Sequence, residues 1–160
     1  MSHTLVGMGV KVIDLGLSTT PTVEFAVANE EADAGIILTA SHNPAEWNAL
    51  KLLNGKGEFI SAEAGAEVLA IAASGKMDFA PVHELGSISG IDNYIDLHIQ
   101  DVLKLKLVDK AAIEKASFSV VVDAVNSTGG IAVPALLKAL GVKNITVLNG
   151  EPTGHFAHNP

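Results

Sequence analysis

Residues 39–44, Thr-Ala-Ser-His-Asn-Pro, form the segment whose residue types could carry out chemistry. The segment follows residues 34–39, an apolar run that predicts a strand covered on both faces. Ligands in open α/β sheets bind at the carboxyl ends of such strands. Pro44 disfavours a helical backbone at Asn43, so we expect a stiff loop here. Ser41 is then exposed on a rigid support, which suits a hydroxyl that gives and takes a phosphoryl group.

A serine hydroxyl is a weak nucleophile at neutral pH and needs activation. Two routes are open: a metal ion that neutralises a phosphate already attached to Ser41, or a nearby base. Lys51 lies ten residues further on, and its amine comes close to Ser41 if the loop doubles back. By residue type alone, such a loop is more often a structural turn, and Lys51 is more often a solvated surface lysine. His42 would serve equally well as a capping residue.

The elements that must position this loop are short strands that alternate with helices, which indicates an α/β fold. Residues 10–39 read as a strand–helix–strand unit, residues 75–90 read as irregular, and a domain boundary is expected near residues 107–116. Strands are predicted over residues 10–15, 34–39, 49–53, 118–123 and 144–148, and helices over residues 2–8, 21–29, 62–73, 92–103 and 131–140.

The composition of the 160 residues excludes several functional classes. A net charge of −8 and a pI of about 5.1 make nucleic acid and anionic membranes poor partners. The absence of Cys rules out disulfides and thiolate metal sites. No apolar run is long enough to span a membrane and no signal peptide is recognisable, so we expect a cytoplasmic location. A hydrophobic fraction of 48% with 4% aromatics predicts a core of Val, Ile, Leu and Ala.

Two further segments are candidates for binding. Residues 123–130 lie at a strand-to-helix turn, which could hold a phosphate at the start of the next helix or could be a tight turn capped by Asn126 and Ser127. His155 and His158 could form a metal pair.

All ten basic residues are Lys, and none is Arg. Since enzymes that hold phosphorylated substrates usually use guanidinium groups, we expect such groups to lie outside this chain.

Residues 39–44, followed by Trp-Asn-Ala-Leu-Lys at 47–51, resemble the active-site signature of the α-D-phosphohexomutase superfamily. This superfamily comprises the phosphoglucomutases, phosphomannomutases and phosphoglucosamine mutases. Residues 14–21, 120–141 and 151–156 are similar to further segments of the family, so the resemblance covers essentially the whole chain.

The resemblance implies a fold and a domain organisation. It implies a three-layer α/β/α mixed sheet of the phosphoglucomutase domain I type over residues 1–107, without the N-terminal elements of that domain. Residues 116–160 would then begin a second, similar domain. We therefore expect the chain to be a piece of a longer protein whose remaining domains are its partners.

The resemblance also implies an activity, the interconversion of hexose 1-phosphate and 6-phosphate through a bisphosphorylated intermediate. Ser41 matches the serine that is phosphorylated, Lys51 matches the lysine of general acid/base catalysis, and His42 and Asn43 match the loop residues beside the phosphoserine. Family members need Mg²⁺, which the phosphate on Ser41 and aspartates outside this chain would coordinate. The substrate would be a phosphate of glucose, mannose or glucosamine. The choice among these sugars stays open, because the loop that distinguishes them lies outside this chain.

The chain departs from the family pattern at several points. Ala49 stands where the family usually has Gly, which predicts local strain or a different loop. The metal loop, the sugar-recognition loop and the phosphate-binding loop are missing, so we expect the isolated chain to be inactive. The alternatives are a serine-dependent phosphohydrolase and a non-catalytic module that binds sugar phosphates.

Overall fold

The computed structural model describes residues 1–41, 43 and 46–158. Over these residues every predicted helix and strand is present, an unpredicted helix follows the fourth helix, and a short 3₁₀ turn (Val82–Glu84) precedes the fourth strand. The helices are α1 (Ser2–Gly7), α2 (Thr20–Asn29), α3 (Ala62–Ser74), α4 (Tyr94–Val102), α5 (Lys110–Ala116) and α6 (Gly129–Ala139), and the strands are β1 (Val12–Asp14), β2 (Ala34–Thr39), β3 (Ala49–Asn54), β4 (Ile88–Gly90), β5 (Ser119–Asp123) and β6 (Asn144–Leu148).

Strand pairing is both parallel and antiparallel, as in the mixed α/β fold that the resemblance implies. In the described residues β2 pairs with β3 antiparallel, whereas β1 pairs with β4 and β5 pairs with β6 in parallel. The three pairs are separate two-stranded ladders over this part of the chain. The predicted strand–helix–strand unit over residues 10–39 therefore has all its elements, but β1 and β2 are not hydrogen-bonded to each other. The prediction that residues 75–90 are irregular was wrong, because β4 lies there and pairs with β1.

Helix α2 packs on one face of the β2–β3 ladder. Thr19 caps the helix, since its side chain accepts a hydrogen bond from the backbone N–H of Thr22, and Pro21 lies in the first turn. Close packing depends on Gly35 of β2, where an added Cβ would lie 2.6 Å from Val27 Cγ2 of the helix. Any larger residue at position 35 would push the helix away from the strands.

The opposite face of the same ladder is exposed. Ile36 and Leu38 of β2 keep 39% and 62% of their surface accessible, and Leu50, opposite Leu38, keeps 51%. The prediction that β2 is covered on both faces was therefore wrong. A single described helix covers one face of the ladder. Because successive side chains of a strand point to opposite faces, every second residue of β2 lies on the uncovered face.

Helix α4 completes the small core against α2. Its Tyr94 and Ile99 are buried with Ala26 and Val27 of α2 and Leu53 of β3. Tyr94 is among the most buried side chains of the described chain, so the predicted core of Val, Ile, Leu and Ala also contains one aromatic residue. The Tyr94 hydroxyl donates to Glu30 and accepts from Asn29, which ties the two helices together. α4 also contacts α6, which links the two halves of the chain.

The second half repeats a strand–helix–strand arrangement. β5, α6 and β6 follow one another, and the two strands pair in parallel from Ser119↔Asn144 to Asp123↔Leu148. Helix α5, which Asp109 caps, lies where the domain boundary is predicted. No helix in the described part of the chain combines the length and the apolarity needed to cross a membrane.

Candidate functional site

The backbone turns sharply directly after β2. The N–H of Ser41 donates to Thr39 Oγ1 at 3.0 Å, and Ser41 has a φ of +53°, in the left-handed region that residues other than Gly seldom adopt. Asn43 donates from its backbone N–H and its side chain to the carbonyl of Ala40, at 3.1 and 2.9 Å. Ser41 is exposed, as predicted. The last residue of the strand thus fixes the position of the candidate phosphorylated serine.

The antiparallel register brings Lys51 to the face of the ladder on which Ser41 is anchored. Thr39 lies opposite Ala49, and Ile37 lies opposite Lys51. Since residues two apart on a strand share a face, the side chains of Thr39 and Lys51 leave the ladder on the same side. Diagonal neighbours of this kind are about 7–8 Å apart. The loop does double back, as a role for Lys51 beside Ser41 requires.

The Lys51 ammonium group lies between a hydroxyl and an aromatic ring. Its Nζ donates to Thr20 Oγ1 at 3.4 Å and lies 5.9 Å from the centre of the Phe59 ring, within the usual range of a cation–π contact. Lys51 is half-buried. In the described part of the chain no carboxylate forms an ion pair with it. The charge of this lysine is therefore available to an anionic group.

A chain of polar side chains anchors the start of α2, next to Thr20. The hydroxyls of Thr19 and Thr22 are hydrogen-bonded at 2.8 Å, and Thr22 Oγ1 is in turn 3.1 Å from Nδ1 of His98 on α4. Phe25 stacks on the His98 ring at 5.2 Å between ring centres. Thr22 keeps only 1% of its surface exposed. The buried Thr22 thus anchors the first turn of α2 to α4.

The outcome for the predicted site residues differs from residue to residue. The structure brings the anchor of Ser41 and the side chain of Lys51 to one face, and it gives Asn43 a role in holding the loop. His42 and Pro44 lie outside the described residues. Ala49 belongs to β3 and does not have a positive φ, so the strain expected at this position is absent.

Thr20 is the site residue that sequence reasoning missed. The Thr-Thr-Pro run at residues 19–21 signals the start of a helix, and nothing in it indicates that the second hydroxyl faces Lys51. That contact joins residues 31 positions apart, so only the folded chain reveals it.

Asp123 lies at the carboxyl end of β5, in the second candidate segment. Its Oδ1 accepts from Asn149 Nδ2 at 3.0 Å and from the N–H of Val125 at 3.1 Å, and its Oδ2 lies 2.8 Å from His158 Nε2. The hydrogen bond from Asn149, followed by the contacts with His158 and Val125, lowers the pKa of Asp123 to about 2. This carboxylate holds residues 149–158 against the β5–α6 loop.

The turn that leads into α6 departs from the sequence prediction. One of the two alternatives for this segment, a tight turn capped by Asn126 and Ser127, is wrong, because α6 begins after Thr128 and no side chain caps it. Asn126 instead donates from its side chain to the carbonyl of Glu151 at 3.2 Å. Val125 and Asn126 both have positive φ, which is costly for a β-branched residue such as valine. The turn is shaped around the C-terminal segment and is not a capped helix start.

The described residues do not form a metal site. Over residues 1–41, 43 and 46–158, no three side chains of His, Cys, Asp or Glu converge in a way that could hold an ion. The candidate pair of His155 and His158 gains no third ligand among these residues, and His158 Nε2 contacts Asp123 Oδ2. A phosphate on Ser41 would offer oxygen atoms to Mg²⁺, but within the same described residues the carboxylates that complete a Mg²⁺ site are absent around it.

An open cleft of about 630 Å³ lies elsewhere, between the β1–β4 ladder and α6. Asp14, Asp92 and Asp96 contribute charge to its wall, and Ile91 and Ile131 contribute apolar surface. Neither Ser41 nor Lys51 lines it. We place the candidate site at the β2–β3 ladder in spite of this cleft, because Thr39, which anchors the backbone of Ser41, and Lys51 share one face there and do not line the cleft.

Comparison with known proteins identifies phosphohexomutases. Residues 1–78 match a family model described as phosphoglucomutase/phosphomannomutase, alpha/beta/alpha domain I. A protein of Thermococcus gammatolerans named "probable phosphoglucosamine mutase" is 38% identical over 152 residues, which is 95% of this chain and 32% of that protein. A protein of Thermococcus kodakarensis named phosphoglucomutase/phosphomannomutase is 38% identical over 157 residues, which is 98% of this chain and 34% of that protein.

A solved structure shows the same resemblance at the level of the fold. The structure, assigned as a phosphomannomutase from Thermus thermophilus, superposes with a TM-score of 0.74 at 27% identity. The match covers 92% of this chain and 32% of that chain. The chain thus spans about a third of the length of the relatives it matches.

Proposed function

Because this chain belongs to the phosphohexomutase superfamily, we propose that it is the part of a hexose-phosphate mutase that carries the phosphorylated serine, Ser41. Residues 1–107 would be most of the first domain, and residues 116–160 would begin the second. The observation that carries the proposal is the shared face of the β2–β3 ladder, on which Thr39 anchors the backbone of Ser41 and Lys51 directs its amine.

The proposed reaction has two phosphoryl transfers. In the first, a hydroxyl of a hexose monophosphate attacks the phosphorus on Ser41, so that the bond to Ser41 Oγ breaks and a sugar bisphosphate forms. In the second, Ser41 Oγ attacks the other phosphorus of that intermediate, so that the bond from this phosphorus to the sugar oxygen breaks, the isomeric hexose monophosphate leaves and Ser41 regains a phosphoryl group. Lys51 acts as an acid/base group: its neutral amine accepts the proton of the attacking hydroxyl, and the ammonium group formed in this way returns the proton to the departing oxygen. The ammonium group also offsets the negative charge of the phosphoryl oxygens.

Asn43 has a supporting role in this proposal, and His42 completes the loop beside the phosphoserine. The hydrogen bonds from Asn43 to Ala40 keep the loop folded while Ser41 gains and loses charge. Mg²⁺ would neutralise further charge, but its remaining ligands would have to come from outside this chain, so no step is assigned to a metal held here. The other domains would supply the ligands, the sugar contacts and the closure against water. The isolated chain should therefore be inactive.

The experiment uses a full-length enzyme that contains this segment. Intact-mass analysis should find one phosphate per molecule, and peptide mapping should place it on Ser41. The Ser41→Ala variant should carry none, whereas Ser89→Ala, which changes an exposed serine of β4, should carry one. The 160-residue chain alone should show only background turnover in a mutase assay.

A panel of glucose, mannose and glucosamine 1-phosphates then tests the reaction. A mutase forms the 6-phosphate of at least one sugar without net release of inorganic phosphate. Release of phosphate without isomerisation would replace the proposal with a serine-dependent phosphohydrolase. Binding of the sugar phosphates with no phosphate on Ser41 and no turnover would indicate a non-catalytic module.

A further inference from the structure

Thr20 provides the one hydrogen-bond acceptor that the Lys51 amine contacts in the described part of the chain. We propose that Thr20 is a positioning residue, whose hydroxyl directs that amine toward the phosphoryl group on Ser41. The inference rests on the proposed function, because it gives Thr20 a purpose only if Lys51 transfers protons. Neither the resemblance nor the comparisons assign a role to this residue.

The geometry at Lys51 supports positioning rather than simple packing. A lysine side chain has four rotatable bonds, and restricting them costs conformational entropy. The Thr20 hydroxyl, at 3.4 Å, and the Phe59 ring, at 5.9 Å, give the amine two neutral contacts. Neither contact cancels its charge. The hydrogen bond is long, so the amine can leave it to reach a substrate hydroxyl without breaking a strong interaction.

The helix turn that carries the Thr20 hydroxyl is restrained by its neighbours. Pro21 sets the backbone of the first turn of α2, and Thr19 closes that turn by its cap. The buried Thr22 ties the same turn to His98 on α4. A hydroxyl held in this way defines a fixed point for a flexible side chain.

The same helix also fixes the strand that leads to Ser41. α2 packs on β2 at Gly35, and β2 ends at Thr39, which holds the Ser41 N–H. Ser41 and Lys51 are therefore both located with respect to α2, one through the strand and one through Thr20. Removal of the Thr20 hydroxyl should disturb the position of the amine and leave the serine in place.

The test measures kcat and KM of the full-length enzyme with Thr20→Val, Thr20→Ser, Lys51→Met and the double variant Thr20→Val/Lys51→Met. Thr20→Val should lower kcat about tenfold and leave KM within about twofold, because proton transfer depends on position and ground-state binding does not. Thr20→Ser should restore most of the lost rate. In the Lys51→Met background, Thr20→Val should cause no further loss, since there is no amine left to position.

The control is Thr146→Val, which removes an exposed hydroxyl from β6 and should change neither parameter. Thermal unfolding should be similar for wild type, Thr20→Val and Thr20→Ser. An equal loss in the wild-type and Lys51→Met backgrounds, or a Thr20→Ser variant as slow as Thr20→Val, would mean that Thr20 is merely structural. A Thr20→Val enzyme as fast as wild type would overturn the inference and leave the proposed function intact. A wild-type protein that carries no phosphate on Ser41 and does not isomerise sugar phosphates would overturn both.

Discussion

The region around the loop after β2 and the region around the loop after β5 both carry polar side chains at the carboxyl end of a strand. They differ in how strongly those side chains are bound to other residues of the chain. After β2, Ser41 is exposed, and Lys51 on the neighbouring strand has only a long hydrogen bond and an aromatic contact among the described residues. After β5, Asp123 accepts from two donors on one oxygen and contacts His158 with the other. Asp123 has strong partners and stabilises the structure around it, whereas Lys51 can exchange its weaker contacts for a substrate.

The backbone of the two loops shows the same contrast. The positive φ of Ser41 accompanies a hydrogen bond to the end of its own strand, and the residue is exposed. The positive φ of Val125 and Asn126 accompanies contacts with residues 149–154, so there the strain serves to seat another segment. Unusual backbone geometry alone therefore does not identify the functional loop in this chain.

The largest effect that the comparison predicts is at Ser41. In the full-length enzyme, Ser41→Ala should reduce mutase activity to background and remove the phosphate seen by intact mass, because the hydroxyl that carries it is gone. The fold should be unchanged by circular dichroism. If Ser41→Ala keeps a phosphate or an appreciable rate, the β2–β3 loop is not the catalytic one.

Lys51 should show the next largest effect. Lys51→Met keeps much of the volume of the side chain and removes its charge, and we expect kcat to fall by about 10²–10⁴-fold, the usual contribution of general acid/base catalysis. Lys56→Met, in the exposed turn after β3, is the matched control and should stay close to wild type. A loss of less than about fivefold for Lys51→Met would contradict the assignment.

A substitution at Thr22 tests whether buried hydrogen bonds stabilise the start of α2, on which Thr20 lies. Thr22→Val deprives the Thr19 hydroxyl and the His98 ring of a buried partner, so the free energy of unfolding should fall by about 1–3 kcal/mol. Urea unfolding measures it, with Thr146→Val as a control expected to stay within about 0.5 kcal/mol of wild type. An unchanged midpoint for Thr22→Val would show that these hydrogen bonds do not stabilise the start of α2.

Asp123 should behave as a structural residue. Asp123→Asn weakens the contacts with Asn149 and His158, so residues 149–158 should exchange their amide hydrogens faster, while exchange in the β2–β3 ladder stays the same. Asp78→Asn, an exposed position in the loop after α3, is the control. Faster exchange in both regions at once would mean that the two loops are coupled, and the contrast between them would then fail.

The smallest predicted effect is the pH dependence of the packing of residues 149–158. The pKa of Asp123 is lowered to about 2 in the folded chain, from 3.8 in the absence of its partners. A lowered pKa stabilises the folded form above the unfolded pKa, so this contribution is present above about pH 4 and is lost as the pH falls toward 2. Backbone NMR should show residues 149–158 loosening over this range in wild type, and a much weaker response in Asp123→Asn.

Much of the fold follows from local pattern. The bounds of β2, β5 and β6 agree closely with their apolar runs, and Ser61 caps α3, with its Oγ accepting from the Ala64 N–H at 3.2 Å, as a serine before an apolar helical run predicts. β4 escaped prediction because three residues carry too little periodicity to be recognised. The capping expected of Asn126 failed because its side chain found a partner 25 residues away.

The sequence by itself determined which groups are present and where the chain turns, since apolar periodicity, Pro21 and the Ser-His-Asn-Pro loop act over a few residues. Tertiary structure alone decided which of those groups meet. The antiparallel register brought Lys51 to the face that Thr39 shares, and the packing of α2 put Thr20 beside the amine. Such contacts depend on burial and close packing between residues distant in sequence, which no local preference encodes.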